Sequence, residues 1–258
     1  MQICPPLVLL LLQVLVLASS PPSAATGEPA PIRILFVGNS YTYVNDLPRI
    51  LQVMAIQSGR RSLPEVRMMV GPGFAWEDHW KIAKIQDAIK STQWNYVVLQ
   101  EQSQQPLLEK QKMQKFGMLL IDAVHGSHAS PLLFVTWSRE NEAAAQRTIT
   151  TSYASLASAT HAQLVPVDKA WQYMRQKHPE FGLYRGDGSH PSPAGSYLAA
   201  CVFYRTIYGE LPRQEAATSF RTFQSQESGY AERVVPVPLD SAQVSSLQDA
   251  CGKAFASR

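Results

Sequence analysis

The sequence is poor in several features, and each shortage removes a class of function. It has three cysteines in 258 residues and contains neither a C-x-x-C nor an H-E-x-x-H spacing. The common zinc frameworks are therefore missing, and no metal site is expected. There is no G-x-x-x-x-G-K-[ST] run, so a phosphate-cradling P-loop is excluded. Charged residues make up 17% of the chain and the formal net charge is only +3. Lys and Arg are scattered, with no basic stripe to follow a phosphate backbone, so nucleic acid is not an expected partner. No repeat of fixed period appears. The one long apolar run, Leu7 to Ala18, is shorter than the roughly 20 residues that span a bilayer.

That run has a different use. Small residues and a Pro-rich segment follow it, which is the pattern of a secretory signal peptide, although no Lys or Arg precedes it. The expectation is a signal peptide over residues 1–25, cut between Ser20 and Ala25, then a Pro-rich linker over 26–31. The mature protein would be secreted or periplasmic, with no stable membrane span. Cys4 lies before the apolar core rather than after it, which argues against a lipoprotein. Removing the signal leaves Cys201 and Cys251. An exported pair can form a disulfide or remain two buried thiols, and the sequence leaves both open.

What the chain does have is apolar content, 45% of residues, enough for one sizeable α/β domain. Short β-rich runs lie at Ile32–Val37, Val66–Val70, Tyr96–Leu99, Leu132–Thr136 and Leu164–Val167. Helical patterns fall between them at Leu47–Ser58, Trp76–Ser91, Glu109–Ser127 and Asn141–His161. Asp46 is placed to cap the first of these, with Pro48 in its first turn and Gly59 at its exit. A further helix starts after Ser192 and stops at Gly209, and a last amphipathic stretch covers Ser241 to Phe255. Alternation of this kind predicts a parallel sheet with helices on both faces. Such sheets bind ligands beyond the carboxyl ends of their strands.

Ser40 lies at that place, just past the first strand in "FVGNSYT". A serine hydroxyl is a weak nucleophile that needs a base, and the base needs a partner that fixes its tautomer. Of six histidines, His125, His128, His161 and His178 sit near helix ends or loops, where solvated or capping roles suffice. His79, among aromatics in "WEDHW", is a candidate for a cleft wall. His190 follows Asp187 by three residues in "GDGSHPSPAGS". That spacing lets the carboxylate reach Nδ1 and leaves Nε2 for a serine. The plainer alternative is that Asp187 only closes an Asx turn before a pre-proline residue.

"FVGNSYT" and "DGSHPSPAGSYLAA" resemble the first and last blocks of the SGNH (GDSL-like) hydrolase superfamily, over about Ile32 to Tyr208. The first block reads G-N-S rather than G-D-S. The resemblance implies a flavodoxin-like three-layer α/β/α sandwich with a parallel five-stranded sheet over residues 32–212. Residues 213–258 would form a C-terminal extension whose final helix packs on the domain. It also implies ester cleavage through an acyl-enzyme, with Ser40, Asp187 and His190 as the triad and no cofactor. Three oxyanion donors are implied: the Ser40 N–H, a glycine N–H after strand two and an Asn side chain after strand three. Gly73 in "VGPGFAW" suits the second. The third block, "LQEQSQQP", has no Gly-x-Asn. Gln102 is the first candidate to replace that donor and Gln100 the second.

Trp137 and Arg139, at the end of strand four, are expected to overlook the crevice, where an aromatic suits a sugar or acyl chain. The alternative for Trp137 is a residue that merely starts a helix. The expected function is a secreted serine esterase acting on a small acyl ester or acylated carbohydrate, as a monomer. A non-catalytic binding module on the same fold and an acyltransferase are the competing expectations.

Overall fold

A computed structural model describes residues 1–2, 30–213 and 239–256 of the chain. Residues 3–25 of the expected signal peptide and most of the linker lie outside these residues, as does much of the C-terminal extension.

The elements follow the sequence pattern closely. Strand β1 is Arg33–Gly38, followed by a short helix α1 (Ser40–Tyr43) and α2 (Leu47–Gln57). Next come β2 (Glu65–Val70), α3 (Trp76–Lys81), α4 (Ala83–Ser91) and β3 (Tyr96–Leu99). Helices α5 (Gln105–Leu108) and α6 (Lys110–Gly126) lead to β4 (Ser130–Phe134). A single 3-10 turn at Ala143–Ala145 precedes α7 (Gln146–Thr160), β5 (Gln163–Val165) and α8 (Val167–Lys177). The chain closes with α9 (Pro193–Tyr208) and α10 (Ser241–Ala254).

The five strands are all parallel, in the order β2-β1-β3-β4-β5. The central strands β1, β3 and β4 are buried on both faces, which is why their runs are nearly continuously apolar, whereas the edge strand β2 keeps Glu65 and Arg67 exposed. In β1, Ile34 and Phe36 face a core shared with α2, α8, α9 and α10. Leu35 and Val37 face the opposite core, against α3, α4, α6 and α7. Period-two geometry therefore divides one strand between two helical layers. Each fully buried Leu, Ile or Phe contributes about 1.5–3 kcal/mol by leaving water. Helix α10 joins the first core through Val244, Leu247, Cys251 and Ala254. Cys201 of α9 and Cys251 of α10 are both buried thiols, and their side chains meet.

Three local expectations need correcting. Asp46 occupies the N-cap position of α2 in the left-handed conformation, but its side chain makes no capping hydrogen bond. The single helix expected over Trp76–Ser91 breaks at Ile82. Helix α3 is pinned to the sheet end by His79, whereas α4 must turn Ile85 and Ile89 onto the core, and the break lets both happen. Val167, expected at the end of a strand, opens α8 instead. Val167, Ala170, Trp171 and Met174 supply its buried stripe at helical spacing.

Candidate active site

The site is built where β1 ends. Gly38 must be a glycine there, because a β-carbon would lie 2.7 Å from both Gln100 Oε1 and Thr42 Oγ1. Asn39 then caps α1, its Oδ1 accepting the Tyr41 N–H at 3.1 Å. Ser40 takes the first helical position, where backbone amides have no acceptor within the helix. Asn39 also ties down its surroundings. Its Nδ2 donates to the Phe74 carbonyl at 2.9 Å, and its Oδ1 accepts from Gln100 Nε2 at 2.9 Å.

The candidate base, His190, lies in a loop folded back on itself between α8 and α9. The Arg185 N–H donates to the His190 carbonyl and the Ser192 N–H to that of Leu183, both at 2.8 Å. Asp187 stands at the tip. Its Oδ1 accepts the N–H groups of Ser189 and His190, each at 2.9 Å. Its Oδ2 lies 2.5 Å from His190 Nδ1. The Asx turn and the imidazole contact are thus not rivals, because each uses its own oxygen. An ionised carboxylate only accepts, so Nδ1 carries the proton and Nε2 presents its lone pair. That lone pair faces Ser40 Oγ at 2.8 Å. The hydrogen bond from His190, with the Ser189 N–H behind it, draws the Asp187 carboxyl down to about 2.

Sequence reasoning missed the brace beneath this chain of bonds. Tyr41, the residue after Ser40, hydrogen-bonds Ser189, the residue before His190, hydroxyl to hydroxyl at 2.7 Å. Its ring stacks on Trp137 with centroids 4.8 Å apart, and Trp137 stacks on Trp171 at 3.7 Å. Trp137 Nε1 donates to the Ser189 carbonyl at 3.0 Å. Trp137 is 1% exposed, so it is a strut under the His190 loop and not the substrate-stacking residue expected. Adjacency of an aromatic to the serine was the one signal available in the sequence.

His79 is likewise displaced from the expected cleft wall. It is buried behind the tip of β1, with Nε2 2.8 Å from the Gly38 carbonyl, and burial pushes its pKa down. Arg139 stays exposed, and its charge is felt at the Tyr41 hydroxyl.

Gly73 sits in the turn after β2 with φ of +68°, a left-handed conformation that suits glycine, and it is exposed. Among the described residues, neither its N–H nor that of Ser40 has a hydrogen-bond partner. Gln100 is corrected. It is fully buried, its Nε2 donating to Asn39 Oδ1 and the Glu101 carbonyl. Its Oε1 accepts the Asn39 N–H and the Thr42 hydroxyl. Both amide hydrogens are committed, so none remains for an oxyanion. Gln102 is half-buried, and its Oε1 accepts the N–H groups of Gln104 and Gln105, which fixes the side chain over its own turn.

No family model and no curated protein sequence matches the chain. Solved structures do. A candidate SGNH hydrolase from Slackia heliotrinireducens aligns at 28% identity and TM-score 0.60, over 69% of this chain and 99% of its own. A DUF4886 family protein from Bacteroides uniformis aligns at 15% identity and TM-score 0.61, over 88% and 95% respectively. An acetyl xylan esterase aligns at 16% identity and TM-score 0.59, over 68% and 100%. A lipase/acylhydrolase and a GDSL-like lipase share the fold as well. With β1 leading to Ser40 and the loop before α9 carrying His190, the chain belongs to the SGNH (GDSL-like) hydrolase superfamily.

Proposed function

We propose that this protein is an exported serine esterase that cleaves short acyl esters through an acyl-enzyme on Ser40. The reading rests on one observation, the continuous chain of hydrogen bonds from Ser40 Oγ through the His190 imidazole to Asp187. Ser40 Oγ attacks the acyl carbon as His190 Nε2 takes its proton. Asp187 holds the tautomer and stabilises the imidazolium. The tetrahedral oxyanion accepts hydrogen bonds from the Ser40 and Gly73 N–H groups, with the Gln102 side-chain amide as third donor. His190 then returns the proton to the departing alcohol, and water repeats the sequence to release the acid.

The favoured substrate is an acetyl or other short acyl group on a carbohydrate. An acetyl xylan esterase shares this fold, and an export signal would take the enzyme to extracellular polymers. The test is hydrolysis of p-nitrophenyl acetate, longer p-nitrophenyl esters and acetylated sugars by mature protein. Turnover in wild type that disappears in Ser40→Ala supports the proposal. Binding of acetylated sugars without turnover selects a recognition module instead.

A further inference from the structure

Between Gln100 and Gln102, at the end of β3, Glu101 is 1% exposed. Its Oε1 accepts two backbone N–H groups, that of Gln102 at 2.7 Å and that of Trp76 at 2.9 Å. These amides belong to different walls of the site. Trp76 opens α3 three residues after Gly73, and Gln102 begins the turn after β3. From behind, the Glu101 N–H donates to the Tyr153 hydroxyl at 3.2 Å, so the residue is held by its backbone as well as its side chain.

This carboxylate is costly to keep. The charged groups that face it are Asp78 and Glu77 of α3, both acidic, and the phenol of Tyr153 on α7 lies against it. Burial first, then those two carboxylates, push the Glu101 carboxyl up to about 7, against its hydrogen bonds from Gln102 and Trp76. Local features that work against stability concentrate where function needs them.

We propose that Glu101 is a positioning residue that sets the width of the oxyanion hole, one carboxylate oxygen tying the Gly73–Trp76 turn to the Gln102 turn. The inference rests on the esterase reading and on its placement of the oxyanion between those turns. The Gly73 turn is tied to the sheet end by the Gly71 N–H on the Gly38 carbonyl, by Asn39 Nδ2 on the Phe74 carbonyl and by the Trp76 N–H on Glu101, with His79 holding α3 behind it. Of these, only the Trp76 bond reaches the residue beside Gln102, and removing it frees the α3 end of the turn from the Gln102 turn. A displacement of 1 Å in a catalytic array costs about 10²-fold in rate.

The experiment compares wild type, Glu101→Gln and Glu101→Asp. Gln keeps the reach and a carbonyl oxygen, whereas Asp keeps the charge and falls one methylene short. With p-nitrophenyl acetate, Glu101→Asp is expected to lose about 10²-fold in kcat with little change in KM. Glu101→Gln should retain at least about a tenth of wild-type kcat, since an amide oxygen still accepts both N–H groups. Amide exchange at Trp76 and Gln102 reads the bracket without turnover. It should be about tenfold or more faster in Glu101→Asp, the loss of a hydrogen bond to a charged group.

Thermal melts serve as a third readout and show that each variant folds. The fold binds the Glu101 proton more tightly than the unfolded chain does, so this group's contribution is whole below about pH 4.5 and is lost as pH rises through about 7. Wild type should therefore lose melting temperature over that window relative to Glu101→Gln. Unchanged exchange in Glu101→Asp, wild-type kcat in that variant, a Gln variant as slow as Asp, or an effect confined to KM each overturns the inference. A wild type with no esterase activity refutes the esterase reading, which the exchange rates do not depend on.

Discussion

Replacing Asp187 by asparagine separates the two duties of that carboxylate. Its oxygens serve three donors: Oδ1 takes the Ser189 and His190 N–H groups, and Oδ2 takes His190 Nδ1. Asparagine has one oxygen for all three. If that oxygen stays on the two backbone amides, the side-chain NH2 faces Nδ1–H, donor against donor. If the amide turns over, the imidazole is served but two backbone N–H groups meet the NH2. At about 1 kcal/mol net per hydrogen bond, the first orientation wins by one bond. The imidazole then moves its proton to Nε2, which donates to Ser40 instead of accepting from it, and the base is lost. The turn survives, so the melting temperature should hold within a few degrees. Turnover of p-nitrophenyl acetate should fall by about 10⁴, the loss measured for this swap in a serine-protease triad, equivalent to about 5 kcal/mol of transition-state stabilisation. Initial rates with parallel circular-dichroism melts decide the matter. Turnover within tenfold of wild type in a folded variant would reduce Asp187 to a turn-former and refute the reasoning.

Three other expectations follow from neighbouring contacts. Tyr41→Phe removes the hydroxyl that meets Ser189 and Ser103; kcat should fall about tenfold with at most about 2 kcal/mol lost in a urea melt, the value of two hydrogen bonds. Gln100→Ala strips four hydrogen bonds from the base of the Ser40 turn, and should cost at least about 3 kcal/mol in the same melt; an unchanged midpoint would mean the network is dispensable. Refolding of residues 26–258, which lack Cys4, in oxidised glutathione should link Cys201 to Cys251, closing a loop of about 50 residues worth roughly 4 kcal/mol in the chain-entropy model. Titration of the denatured, unreduced product should then find no thiol, and two would show that the sulfurs do not join.

Much of this molecule can be read from its sequence, and the parts that cannot share a cause. Strand β3 lies where the apolar run Tyr96–Leu99 predicts it, and α9 starts after Ser192 and stops at Gly209 as their capping chemistry requires. Asp187 and His190 are legible because they are close in sequence and one turn of chain limits their geometry. Side chains that work by reaching across the fold are not. Gln100 and Gln102 look alike in "LQEQS" and pleat alone would put both on one face, yet β3 ends at Leu99, so the first turns inward to Asn39 while the second meets its own turn. Trp137 reads as a cleft aromatic until the stack of Tyr41, Trp137 and Trp171 is seen. Helix α8 was obscured because its first residue continues the apolar character of β5, although its buried stripe repeats at helical spacing.

The contact between Ser40 and His190 joins residues 150 positions apart. Ser40 therefore leaves the ribosome long before its base has been made, by roughly 8 to 30 s at about 5–20 residues per second. Throughout that interval the serine is an ordinary alcohol, with no imidazole to take its proton. Strand β4, β5 and the loop before α9 must all be in place before the two meet. Under the proposed mechanism, acyl transfer cannot begin on a nascent or half-folded chain, and a Ser40-directed phosphonate probe is expected to label only molecules whose domain is complete. The reactivity of one hydroxyl thus reports on the folding of the whole sheet.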